Sequence, residues 1–155
     1  DKNEEKSISF VCSFEENIDE KEVEKMIMVE KKRLANIIKN VDIPVENEEL
    51  IKSLVISADS FVVYRPSFRL HTLIAGYPWF LDWGRDSLIS FEGLLLKTNR
   101  FEHAKEVLKT MMRDIKYGLV PNGYSGFDNR PLYNSVDASL LLFEQVYKYL
   151  EYTRR

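Results

Sequence analysis

An all-α fold of helical hairpins is predicted for this chain by three features: apolar residues recurring every three or four positions, short polar turns between those stretches, and one long loop with no period of its own. With 155 residues, 45% of them hydrophobic and 30% charged, the chain can bury a sizeable core and has a globular composition. Residues 7–14, Ser-Ile-Ser-Phe-Val-Cys-Ser-Phe, partly alternate small polar and large apolar side chains and read as a short strand. One strand leaves its backbone groups unpaired, so residues 1–18 are expected to be the tail of a preceding β domain.

The next stretch, from about Glu20 to Val41, places Val23, Met26, Ile27, Leu34, Ile37, Ile38 and Val41 on one face and Lys, Glu and Arg on the other. It predicts an amphipathic linking helix within residues 19–46, stopped by Asp42-Ile43-Pro44 because proline cannot continue the helical ladder. Asn47 offers an N-cap, with Glu48 and Glu49 in the first turn, for a second helix running to about Val63. Leu70 to Ala75 is expected to be a strand or extended loop leading to Gly76-Tyr77-Pro78. A third helix, about Asp86 to Lys97, is apolar nearly all round and should be buried on several sides. A tight turn at Thr98-Asn99-Arg100 joins it to a fourth that carries Phe101, Ala104, Val107, Leu108, Met111 and Ile115, an αα-hairpin. Residues 118–135, rich in Gly, Pro, Asn and Tyr, form a long loop of the kind that often carries function. A last helix spans about Val136 to Tyr152, with Val136, Leu140, Phe143, Tyr147 and Leu150 on one stripe.

Composition excludes several function classes. The net charge is −3, and the basic runs Lys31-Lys32-Arg33 and Arg154-Arg155 are short, so no nucleic-acid partner is expected. Cys12 stands alone, which rules out an internal disulfide and a cysteine-rich zinc site; His71 and His103 lie far apart and read as packing or surface residues. No metal and no cofactor is expected. Nor is a membrane span, since no run approaches ~18 apolar residues; a cytoplasmic location is the expectation.

Chemistry concentrates in two places. Pro78-Trp79-Phe80-Leu81-Asp82-Trp83-Gly84-Arg85-Asp86-Ser87 gathers both tryptophans, two acids and an arginine just before a helix. Aromatic faces suit the C–H surfaces of sugars, and planar multi-pronged polar groups suit their hydroxyls, so this block can be a saccharide floor. It can equally be a pair of core anchors beside an ordinary helix N-terminus. Asp137, in Tyr133-Asn134-Ser135-Val136-Asp137-Ala138-Ser139, closes the long loop. It is placed either as a general acid or as a first-turn acid behind an N-cap at Ser135. A helix N-terminus lowers a carboxyl pKa, so a general acid here needs burial or a second carboxylate to keep it neutral.

The segment from Ala75 to Ser87, then Gly93-Leu94-Leu95-Leu96, Gly118-Leu119-Val120-Pro121-Asn122 and Tyr133 to Ser139, closely resemble in sequence and separation the amylo-α-1,6-glucosidase part of glycogen debranching enzymes. The resemblance covers roughly Leu50 to Tyr152. It implies that residues 47–155 are the N-terminal part of an (α/α)6 toroid, usually preceded by a β-sandwich, that hydrolyses α-1,6 branch points of glycogen by an inverting general acid/base mechanism. More remotely the chain resembles glucoamylases, whose W-x-R-D motif holds the glucose ring. By that similarity Arg85 and Asp86 bind sugar hydroxyls, Trp79 and Trp83 form the wall, and Tyr77, Asn122, Tyr133 and Asn134 add substrate contacts. Asp137 is then the general acid, and the base is a glutamate far downstream. The implied partner is branched α-glucan such as glycogen limit dextrin. A piece of this kind is expected to be nearly inactive alone and to self-associate through apolar flanks. The alternatives are a non-catalytic glucan-binding or protein-binding helical domain and, more weakly, a trehalase-like or glucoamylase-like exo-glucosidase.

Overall fold

The computed structural model describes residues 10, 12, 20–41, 45–125, 127–128 and 130–154. The strand expected over residues 7–14 and the stop at Asp42-Ile43-Pro44 lie outside the described residues, Phe10 and Cys12 apart. The chain divides into two compact units, residues 1–36 and 37–155.

The first unit holds most of helix α1 (Glu20–Lys39). Lys39, in its last turn, complements the helix dipole. Met26, Ile27, Met28 and Val29 are exposed on it. The helix stops two residues before the expected Val41, where the N–H groups of Asn40 and Val41 tighten onto the carbonyls of Ile37 and Ile38 at 3.2 and 3.1 Å.

In the second unit a short 3₁₀ turn, Val45–Asn47, leads into α2 (Glu48–Asp59). Asn47 sits at the N-cap position as expected, but its side chain makes no capping hydrogen bond. Lys52 pairs instead with Glu48 at 2.6 Å and Glu49 at 3.3 Å. The helix ends at Asp59 and not near Val63. Phe61-Val62-Val63 continue the apolar period, yet β1 (Val62–Arg65) leaves the helix to pair antiparallel with β2 (Leu70–Leu73), Val62 opposite Leu73. Arg69, with φ 54°, closes the hairpin. Hairpin pairing thus outweighs the helical pattern, as β-branched and aromatic residues allow.

α3 (Gly84–Phe91) starts two residues before the expected Asp86 and widens into a π-helical stretch over Glu92–Leu96. There the Lys97 N–H reaches back to the Glu92 carbonyl at 2.9 Å. Leu88, Phe91, Leu95 and Leu96 are fully buried, while Ile89 is exposed, so the helix is buried on most but not all sides. Thr98-Asn99-Arg100 turns the chain into α4 (Phe101–Arg113), whose Ala104, Val107, Leu108 and Met111 face the core. The long loop carries the small ladder of β3 (Gly123–Tyr124) and β4 (Pro131–Leu132).

α5 (Asp137–Thr153) then packs on α3 and α4 through Ala138, Leu142 and Gln145. The stripe singled out in the sequence faces solvent, with Leu140 69% and Phe143 77% exposed. The helix carries two apolar stripes, and the one through Ala138, Leu142, Val146 and Tyr149 reaches the core. The architecture is all-α, with two small strand pairs as appendages. Among the described residues no helix is long and apolar enough to cross a membrane.

Candidate functional site

The long loop brings the N-termini of α3 and α5 together. Gly84 makes this approach: a Cβ on it would lie 2.4 Å from the Pro121 carbonyl oxygen, and its N–H donates to the Asn122 carbonyl at 2.7 Å. The side-chain carbonyl of Asn122 then accepts the Arg85 N–H at 3.1 Å, satisfying a donor that the start of a helix leaves open. Its amide nitrogen donates to Asn134 Oδ1 at 3.0 Å, and its own N–H donates to the Leu132 carbonyl at 2.8 Å. On the other side the Val120 N–H donates to Ser139 Oγ at 2.9 Å, tying the loop to α5.

Between the two helix starts Arg85 grips Asp137 with two prongs. Arg85 Nε lies 2.6 Å from Asp137 Oδ2, and Nη2 donates to Oδ1 at 3.2 Å. The Ser135 hydroxyl donates to the same Oδ1, which also accepts the Ala138 N–H at 3.0 Å. Ser135 Oγ itself accepts the Ala138 N–H at 3.4 Å, but the N-cap position of α5 falls on Val136, one residue after the expected Ser135, and carries no side-chain cap. The Ser135 hydroxyl first, then Arg85 and the Ala138 N–H, hold the Asp137 carboxyl below the usual aspartate range, and slight burial does not outweigh them. Asp137 is an ion-paired carboxylate in this state, without the neutralising surroundings that a resting general acid needs.

The remaining residues named from the sequence divide between surface and framework. Trp79 is 85% exposed, and Tyr77 and Phe80 are exposed as well. Trp83 is partly buried, its ring edge close to Gly123. Asp86 is exposed and lines a separate, largely apolar pocket of about 330 Å³ with Phe61, Leu73, Ile74 and Ile89. It therefore does not join Arg85 on Asp137. Asn122 is buried with its amide engaged by neighbouring chain, and the Tyr133 hydroxyl donates to the Asp114 carbonyl at 2.6 Å. Asn134 is exposed and accepts from Asn122. Asp82 is buried on Arg65 and accepts from Thr72 Oγ1 at 3.4 Å, a framework role that its place in the tryptophan block did not reveal.

The structure also assembles a cluster that sequence spacing hid. β2 places His71 so that its N–H and its ring Nδ1 both meet Glu106 Oε2, at 2.8 and 2.7 Å, while its ring packs edge-on against His103 at 4.3 Å. Burial first, then the charges of His71 and Arg100, lower the His103 pKa. Only the hairpin register, which seats β2 on α4, could have found this pairing. No group of three metal-binding side chains occurs among the described residues.

By class, this is an all-α domain in which the starts of two helices meet through a guanidinium–carboxylate pair, Arg85 with Asp137. Residues 56–155 match the amylo-α-1,6-glucosidase family, and the chain belongs to that family. Over 90 residues it is 36% identical to the glycogen debranching enzyme of Saccharomyces cerevisiae, a match that covers 55% of this chain and 6% of that protein. The chain thus spans a small part of the curated relative that it matches. No solved structure matches it.

Proposed function

We propose that this chain is the N-terminal part of an (α/α)6 glucosidase domain that hydrolyses α-1,6-glucosidic branch points of glycogen or a related α-glucan. The carrying observation is the meeting of Arg85 and Asp137, 52 residues apart, inside a chain of this family. Arg85 and the rings of Trp79, Trp83 and Tyr77 hold the terminal glucose, and Asn134 borders it, while Asp86 faces the neighbouring pocket. Asn122 and Tyr133 set the frame. Asp137 donates the proton to the leaving oxygen. Inversion needs a second carboxylate about 6.5–9.5 Å away to activate water, and we assign it to a residue downstream of this chain. The exposed outer stripe of α5 suits a helix covered by a further helical layer, as a toroid would supply.

In a full-length protein containing this segment, Asp137→Asn is expected to lower glucose release from phosphorylase limit dextrin by ~10²-fold or more while glucan binding persists. Undiminished turnover would sink the assignment. The isolated chain, lacking the base, is expected to release almost no glucose from the same substrate. A second reading, a glucan-binding domain without catalysis, draws on the ion-paired state of Asp137. It predicts that the full-length protein binds limit dextrin yet releases no glucose.

A further inference from the structure

The function proposed above sets a chemical condition on Asp137: its carboxyl must be neutral when it meets the glycosidic oxygen. The donors around it are unequally shared. Oδ1 takes the Ser135 hydroxyl, the Ala138 N–H and Arg85 Nη2, whereas Oδ2 is held by Arg85 Nε at 2.6 Å. Removing the guanidinium would therefore open Oδ2 and leave Oδ1 oriented by its own segment.

Arg85 is built to move in that way. Its backbone N–H is fixed by Asn122, so the start of α3 stays in place. Its side chain is 52% exposed and lies at the end of a flexible stem, so the head can swing without disturbing the core. Among the described residues Arg85, from α3, is the charged group that touches Asp137. The other contacts, from the segment of Asp137 itself, are the Ser135 hydroxyl and the Ala138 N–H.

We propose that Arg85 is a substrate-operated gate on Asp137: sugar hydroxyls that draw off its guanidinium free Oδ2, which then takes up one proton from water and presents it to the glycosidic oxygen. This rests on the reading of Asp137 as the general acid. As the C–O bond breaks, its electron pair stays on the leaving oxygen, which receives that proton, while water bonds to the anomeric carbon and gives up its proton to the downstream carboxylate. Asp137 returns to a carboxylate, and Arg85 closes on it again when the product departs. The gate keeps the acid ionised in the empty site and arms it only against a bound sugar. Arg85 thereby acts as a positioning residue for the acid as well as a sugar contact.

The test follows the ¹³C-labelled Asp137 carboxyl by NMR as pH is varied, on this chain, with isomaltose as the probe and the Trp83 indole N–H as the report of sugar binding. Arg85→Met is expected to move the Asp137 titration upward without sugar, and Arg85→Lys, which keeps the charge but loses the fork, to move it less. Isomaltose should move the wild-type titration upward and leave that of Arg85→Met where it is. Circular dichroism checks that both variants keep their helices. An unchanged titration in Arg85→Met overturns the gate. So does isomaltose that shifts the Trp83 indole but not Asp137. Isomaltose that moves neither removes the sugar floor itself, and the gate falls with it.

Discussion

At Gly84 a single hydrogen in place of a methyl group decides whether two chain segments can touch. The clash that a Cβ would meet is with backbone, the Pro121 carbonyl oxygen at 2.4 Å and Asn122 Cα at 3.1 Å, which cannot rotate away. Gly84→Ala is expected to cost about 1–3 kcal/mol in urea unfolding, the range for overpacking. Gly93 is the control, because a Cβ there meets nothing within 4 Å. Within a helix, Gly93→Ala should be neutral or stabilising by about 0.5–1 kcal/mol. The two acids of the tryptophan block separate in the same way. Asp82 is 1% exposed and joined to Arg65 and Thr72, so Asp82→Asn should lose about 3 kcal/mol. Asp86→Asn, at an exposed site, should change stability by less than about 0.5 kcal/mol. Equal unfolding midpoints for the two Asp→Asn variants would contradict this division.

At the scale of elements, α5 shows how a correct helix can be turned to the wrong face. Its sequence carries apolar residues at helical spacing on two stripes, and periodicity alone does not say which one packs. The core takes the stripe through Ala138 and Leu142, the latter 6% exposed, and leaves Leu140 at 69%. Leu142→Ala is expected to cost about 2–4 kcal/mol, and Leu140→Ala less than about 0.5 kcal/mol, in the same unfolding measurement. Reversal of that order would mean that the exposed stripe is the packed one. The end of α2 illustrates the opposite limit. Phe61-Val62-Val63 fit a helix by spacing, but β2 offers them a ladder, and the strand wins.

For the whole molecule the groups with resolved shifts that titrate below neutral pH act in one direction, each with its pKa lowered. Burial, then His71 and Arg100, lower the His103 pKa from 6.5, so its neutral form is the folded one. A depressed pKa contributes stability above the unfolded value and loses it as pH falls. The His103 contribution is therefore present above pH 6.5 and declines below it. Burial raises Glu106, but the His71 N–H and ring outweigh it and hold the carboxyl below 4.5. Arg113 holds Asp114 below 3.8 against burial, and Lys148 with Tyr152 holds Glu92 below 4.5. The contributions of these carboxylates are complete above the unfolded values and are lost in acid. Urea midpoints should thus fall in two stages, the first beginning below pH 6.5 and the second below about pH 4.5. His103→Asn should flatten the first stage only. Midpoints that rise on acidification would show the wrong sign for His103.

The five helices among the described residues, the tight turn at Thr98-Asn99-Arg100, the unperiodic loop before Asp137, and the family of the chain were legible in the sequence. Each rests on local spacing or on contiguous motifs, and local spacing is what a one-dimensional string carries. Arg85 and Asp137 were legible as residues, though not as partners. Which stripe of α5 is buried, which acid of the tryptophan block is framework, where α2 gives way to a strand, and that Glu106 joins two histidines were decided by tertiary structure. These outcomes depend on pairs such as Arg65 with Asp82, His71 with Glu106 and Arg85 with Asp137, separated by 17, 35 and 52 residues. Their energies arise only once the chain has folded back on itself, so no local period encodes them.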